Sequence, residues 1–189
     1  MRAFIGIGLP EDIRRSLTQL QRELAESQAD VKWVAGDHLH VTLKFLDEIS
    51  EEQRRAIETL LGSVAEREEP FPLSLAGVGA FPSVNAPRVV WAGLSEGKEI
   101  GARIAQAIEA EGRTIGLRQE ERPFSPHLTL GRVRSPKQRE ALTQRLSAVR
   151  WQLPPPWRVS SLTFYQSVLS SAGPRYTVLA DIPLKAAPS

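Results

Sequence analysis

The chain has 189 residues, 41% hydrophobic and 24% charged, a composition that suits one soluble globular domain. A formal net charge of +2 argues against a general polyanion-coating role, although a sequence pI near 9.2 leaves room for a local basic groove. There is no cysteine, which excludes disulfides, thiolate nucleophiles and cysteine-based metal sites and fits a reducing cytoplasm.

Arg2 to Leu9 is an apolar run that reads as a first core strand. It is too short to cross a membrane and carries no cleavage signal, so no membrane association is expected. Pro10 suits the first position of a helix, with Glu11 and Asp12 at its positive end and Ile13, Leu17, Leu20 and Leu24 as its apolar stripe. Val31 to Val34 is a short strand, Gly36-Asp37 a turn, and a strand carrying His40 runs to about Leu46. Ser50 and Gln53 have capping-box spacing ahead of a stripe of Ile57, Leu60, Leu61 and Val64. Phe71 to Phe81 reads as one strand with an irregularity at Gly77 or Gly79. It forms a hairpin through Asn85-Ala86-Pro87 with Arg88 to Gly93. Ser95 is placed to cap a helix through Ile100, Ile104 and Ile108, ending near Gly112. The polar stretch from Gly116 to Ser125 reads as a loop into a strand carrying His127. Ser135 and Gln138 repeat the capping box before Leu142, Leu146 and Val149, and Pro154 to Pro156 form a stiff connector. Val159 to Leu169 and Tyr176 to Ile182 complete the chain as two strands. Hairpins mixed with alternating strands and helices indicate an α+β fold with a largely antiparallel sheet.

One unit occurs twice. His40-Val41-Thr42-Leu43 matches His127-Leu128-Thr129-Leu130, and Ser50, Gln53, Arg54, Ala56, Leu61 and Val64 match Ser135, Gln138, Arg139, Ala141, Leu146 and Val149. Side chains two apart on a strand share a face, so His40 pairs with Thr42, and His127 with Thr129, on a cleft side backed by Val and Leu. Packing of the repeats about a pseudo-two-fold axis brings the two polar faces to one groove. Lys44 continues the His40 parity, and its counterpart Gly131 leaves space for a ligand. Arg132 has the wrong parity on a regular strand and reaches the groove only if the strand ends or bulges there.

An imidazole titrates near pH 6.5, so two of them facing one ligand supply an acid and a base together. Hydroxyls beside them can donate to an oxyanion. A tetrahedral phosphoryl centre fits that set: one His deprotonates water, the other protonates the leaving oxygen, and Thr42 and Thr129 hold the non-bridging oxygens. No metal or other cofactor is expected. His38 and His40 resemble a metal pair, but only one further histidine exists and no carboxylate has convincing ligand spacing.

The paired motifs resemble those of the 2H phosphoesterase superfamily. His-Val-Thr-Leu-Lys-Phe-Leu from His40 and Ser-Pro-His-Leu-Thr-Leu-Gly-Arg from Ser125 are similar to strings of RNA 2′,3′-cyclic phosphodiesterases, the 2′-5′ RNA ligase family. So are the opening Arg-Ala-Phe-Ile-Gly-Ile and the segment from Leu162 to Tyr176. Asp47 stands where such relatives are expected to carry Gly. The resemblance implies a bilobal 2H-phosphoesterase-like fold, in which two pseudo-two-fold-related lobes of antiparallel sheet, helices outside, each supply one motif to a central cleft. It implies that residues 1–189 are one such domain. It further implies opening of a terminal RNA 2′,3′-cyclic phosphate to a 2′-phosphate, with His40 as proton donor, His127 as proton acceptor, and Arg132 and Lys44 near the phosphate. Reversible 2′-5′ joining without ATP is implied as well. The expected protein is a cytoplasmic monomer whose partner is RNA with a cyclic phosphate end. Two alternatives remain open. One is the same chemistry on a small cyclic phosphate of a nucleotide or ADP-ribose; the other is an RNA-end-binding protein without turnover.

Overall fold

The computed structural model describes residues 1–186. In chain order it runs β1 (Arg2–Ile7), α1 (Glu11–Ala25), β2 (Val31–Trp33), β3 (Val41–Glu48), α2 (Glu51–Ala65), β4 (Phe71–Leu73), β5 (Leu75–Ser83), β6 (Ala86–Leu94), α3 (Lys98–Gly112), β7 (His127–Val133), α4 (Arg139–Ala148), β8 (Trp157–Val159), β9 (Ser161–Ser170) and β10 (Gly173–Pro183). The strands form two four-stranded sheets, ordered β10-β9-β1-β3 and β2-β7-β6-β5, with β4 and β8 as a separate pair. Every pairing is antiparallel. Among the described residues no helix is long and apolar enough to cross a membrane.

The apolar periods predict the core well. Ile13, Leu17, Leu20 and Leu24 of α1 are fully buried, as are Ile57 and Leu61 of α2 and Ile104 and Ile108 of α3. The helices do not stay with their neighbours in sequence. α1 leaves the β1 sheet and packs with α4 behind the other sheet, where the buried Gln21 amide donates to Val34 O and Leu130 O at 2.8 Å each. α3 crosses the other way and packs on α2 and β3. The two sheets are therefore joined by exchanged helices.

Several local expectations are corrected. Pro10 is the residue before α1, in extended geometry, not its first helical residue. The expected strand from Phe71 to Phe81 is broken at Ser74, because β4 pairs with β8 while β5 pairs with β6. The β5–β6 hairpin turns at Val84 and Asn85, and Ala86 already belongs to β6. Ser95 does not cap α3: its hydroxyl is engaged with that of Ser74 at 2.7 Å, and Gly97 takes the cap at φ +79°. Only Gly fits there, since a Cβ would fall 2.1 Å from Pro72 O. The second capping box does not form either. The Ser50–Gln53 box is complete, whereas Gln138 caps α4 at φ +54° with no side-chain bond. The Ser135 hydroxyl instead accepts from Lys137 N at 3.4 Å, and Asp30 binds this loop through Lys137 O and Arg134. Docking onto the segment before β2 delays the helix.

Candidate active site

His40 immediately precedes β3 and His127 opens β7. The two rings are held in the same way. His40 Nδ1 lies 2.6 Å from His38 O, and His127 Nδ1 lies 2.6 Å from Ser125 O. A carbonyl can only accept, so each Nδ1 carries the hydrogen and each Nε2 is left free to exchange a proton. Thr42 Oγ1 is 2.9 Å from His40 Nε2. With the neutral ring, the hydroxyl donates to the Nε2 lone pair. β3 and β7 pack against each other across the join between the sheets.

The aromatic surroundings are missed by strand parity. Phe4 stacks on His40, centroids 4.6 Å apart, and on Tyr165 at 4.8 Å, and the His40 and Tyr165 rings are themselves 6.0 Å apart. Tyr176 stands edge-on to His40 at 5.5 Å and packs on His38 at 4.5 Å. Burial among these rings pushes the His40 pKa below the ordinary 6.5, only partly offset by the bond to His38 O. His127 meets Phe81 edge-on at 5.0 Å. Burial pushes the Tyr176 hydroxyl up, while the nearby Arg132 guanidinium pulls it down. That proximity places a β7 cation beside the wall that covers His40. Tyr165 and Tyr176 both lie in the segment from Leu162 to Tyr176, but only the pairing of β9 with β1 and of β10 with β9 delivers them to His40.

Matching bulges set the orientation of the residues after each motif. Thr42 pairs with Gly6 and Lys44 with Ile5, so Leu43 has no partner; Thr129 pairs with Trp91 and Gly131 with Val90, so Leu130 has none. A bulge reverses parity downstream. In β7 it turns Leu130 and Gly131 into the core and Arg132 out, onto the His127 face. In β3 it turns Leu43 and Lys44 inward and Phe45 outward. The expectation for Lys44 is thereby corrected. It is 3% exposed, and its amine is held by Glu109 at 2.5 Å and Arg118 O at 2.9 Å, away from the groove. Gly131 makes room for β2 and not for a ligand, since a Cβ would meet Val31 and Trp33 at 2.7 and 2.8 Å. Phe45 occupies the place in the first copy that Arg132 holds in the second. Among the described residues no cluster of three His, Asp or Glu side chains could hold a metal ion.

Residues 7–91 and 95–176 match the family described as LigT like Phosphoesterase. The chain belongs to that family. As a LigT-like phosphoesterase it is an enzyme, and two of its relatives align with it over more than nine tenths of both chains. An RNA 2′,3′-cyclic phosphodiesterase of Methanothermobacter thermautotrophicus is 35% identical over 94% of this chain and 95% of its own. One from Escherichia coli K12 is 32% identical over 94% and 93%. Among solved structures, one from Thermus thermophilus has TM-score 0.81 at 30% identity, covering 98% of both chains. Escherichia coli LigT complexed with 3′-AMP has TM-score 0.78 at 29% identity, again over 98% of both. The LigT-like fold is thus the α+β, two-sheet arrangement expected from the motifs.

Proposed function

We propose that this enzyme hydrolyses a terminal RNA 2′,3′-cyclic phosphate and leaves the phosphate on the 2′ oxygen. His127 Nε2 takes a proton from water as the water oxygen bonds to phosphorus. His40 Nε2 gives a proton to the 3′ oxygen as its bond to phosphorus breaks. The Thr42 and Thr129 hydroxyls donate to the non-bridging oxygens, and Arg132 balances their charge. When the 5′-hydroxyl of a second RNA end takes the place of water, its oxygen bonds to phosphorus as the same bond to the 3′ oxygen breaks; this joins the two ends through a 2′-5′ bond and needs no ATP. The observation that carries the reading is the matched pair of Nδ1–H bonds to the carbonyl two residues back, which leaves the Nε2 atom of each duplicated motif unprotonated in the neutral ring, His40 Nε2 accepting from Thr42. The names of the curated relatives supply the substrate.

The low His40 pKa leaves its Nε2 unprotonated in the free enzyme near neutrality. An anionic phosphate bound against that nitrogen attracts the proton back, which is what a donor needs. kcat/KM requires one imidazole charged and the other neutral, so it traces a bell, and the limb set by His40 lies below the ordinary imidazole value. The deciding experiment is product analysis on a cyclic-ended oligonucleotide. A 2′-phosphate is expected, with hydrolysis that survives EDTA and falls about 10²-fold or more in His40→Ala and His127→Ala. A 3′-phosphate product overturns the donor assignment.

A cyclic mononucleotide as substrate is the second reading. It is favoured by the solved complexes of Escherichia coli LigT with 3′-AMP, ATP and NADP+.

A further inference from the structure

Alongside His40 the groove opens into a cavity of about 440 Å³. Phe4, Phe45 and Tyr176 wall it from one sheet, and Lys32, Trp33 and Arg132 close it from the other. Neither His40 nor His127 lines it, so it is a separate compartment beside the reacting centre. Its wall has two kinds of chemistry. One is apolar and open: Phe45 is 56% exposed, and Leu169 on the far rim is 63% exposed. A flat aromatic surface left in water beside a catalytic groove suits a stacked base. The other is cationic. Arg2, Lys32 and Arg132 line the cavity, and none is in an ion pair among the described residues. The one carboxylate in the wall, Asp47, faces Arg118 at 3.5 Å.

A nucleotide closed as a 2′,3′-cyclic phosphate has a single phosphate, and the histidines engage it. Uncompensated cations further along therefore answer to a second phosphate. We propose that this cavity binds the nucleotide immediately upstream of the cyclic end, with its base against Phe45 and Trp33 and its linking phosphodiester at Lys32 and Arg2, while Arg132 serves the reacting phosphate. The inference rests on the cyclic-phosphodiesterase reading and narrows it to RNA chains, since a mononucleotide leaves the cavity empty.

The test compares a cyclic-ended mononucleotide with a cyclic-ended dinucleotide in the parent, Phe45→Ala and Lys32→Gln; both side chains are exposed, so both variants keep the core intact. The parent is expected to favour the dinucleotide by about tenfold or more in kcat/KM, expressed mainly in KM. Either variant brings that ratio close to one. Equal rates on both substrates in the parent overturn the proposal. So does an equal loss on both substrates in the variants, which assigns the cavity to the terminal nucleoside. Hydrolysis of neither substrate sinks the phosphodiesterase reading instead. Calorimetric binding of a dinucleotide 2′-phosphate against the mononucleotide then still tests the cavity, and equal affinities overturn it.

Discussion

A single imidazole shows how environment rather than identity sets a role. Both motif histidines carry the same Nδ1–H bond, yet only His40 lies in a stack of Phe4, Tyr165 and Tyr176. A pH profile cannot say which ring gives the proton, because one charged and one neutral ring is the same net state either way. Leaving-group chemistry can. With a p-nitrophenyl phosphodiester the departing oxygen needs no proton, so His40→Ala recovers most of its lost rate while His127→Ala does not. The reverse pattern exchanges the two roles. His40 also links stability to pH. Its folded pKa is below the unfolded value of about 6.5, so between the two the unfolded chain binds a proton that the folded chain refuses. Stability therefore rises with pH across that window, and urea titrations of His40→Gln are expected to lose this slope. Asp47 is a third residue-scale case. It sits at φ +52°, the left-handed region, at the position where relatives were expected to carry Gly. Asp tolerates that region better than most residues but less well than Gly. Asp47→Gly is expected to raise stability by up to about 1 kcal/mol, read as a shift in the urea midpoint.

At the scale of an element, the unpaired leucine that follows the threonine of each motif rearranges the site. Parity alone assigns Lys44 to the groove and Arg132 away from it, and the bulges at Leu43 and Leu130 reverse both. No composition or propensity signal marks either bulge, because Leu is equally at home in a regular strand. Buried Lys44 instead ties β3 to α3 and to the loop ahead of β7, since Glu109 also accepts from Glu120 N at 2.8 Å. Lys44→Met leaves Glu109 without its cation and is expected to cost about 2–4 kcal/mol in denaturant unfolding. Adding Glu109→Gln recovers part of that loss. A surface role for Lys44 predicts almost no change. The same scale explains the uneven fate of the downstream repeat. Ser50 and Ser135 have the same spacing to Gln, but only Ser50 is free of a competing partner, so only α2 gains the complete box.

For the whole molecule, the repeat describes only part of the organisation. α1 and α3 each pack on the sheet that does not contain the preceding strand, and the chain passes repeatedly between the sheets. We propose that residues 1–189 behave as one folding unit for this reason. A single urea transition, coincident by tryptophan fluorescence and circular dichroism, is the expected result; two separated transitions argue for independent lobes. The charge distribution has a matching consequence. With a net charge of only +2, long-range attraction to RNA is weak, and the salt dependence comes from the few cations at the groove. The oligonucleotide KM is expected to rise with salt by a log–log slope about 1 greater than that of a cyclic mononucleotide.

The sequence by itself determined the four helices and most of the strands, the apolar stripes of α1 and α2, the α+β class and the duplicated His-Thr faces, because periodicity and spacing are local properties. It left Arg132 conditional on a bulge and left the partners of His40 unnamed. Tertiary structure alone decided the inward turn of Lys44, the exposure of Phe45 and the aromatic stack on His40. Each of these depends on which strands pair and where one residue goes unpaired, and those choices are made by packing between segments far apart in the chain.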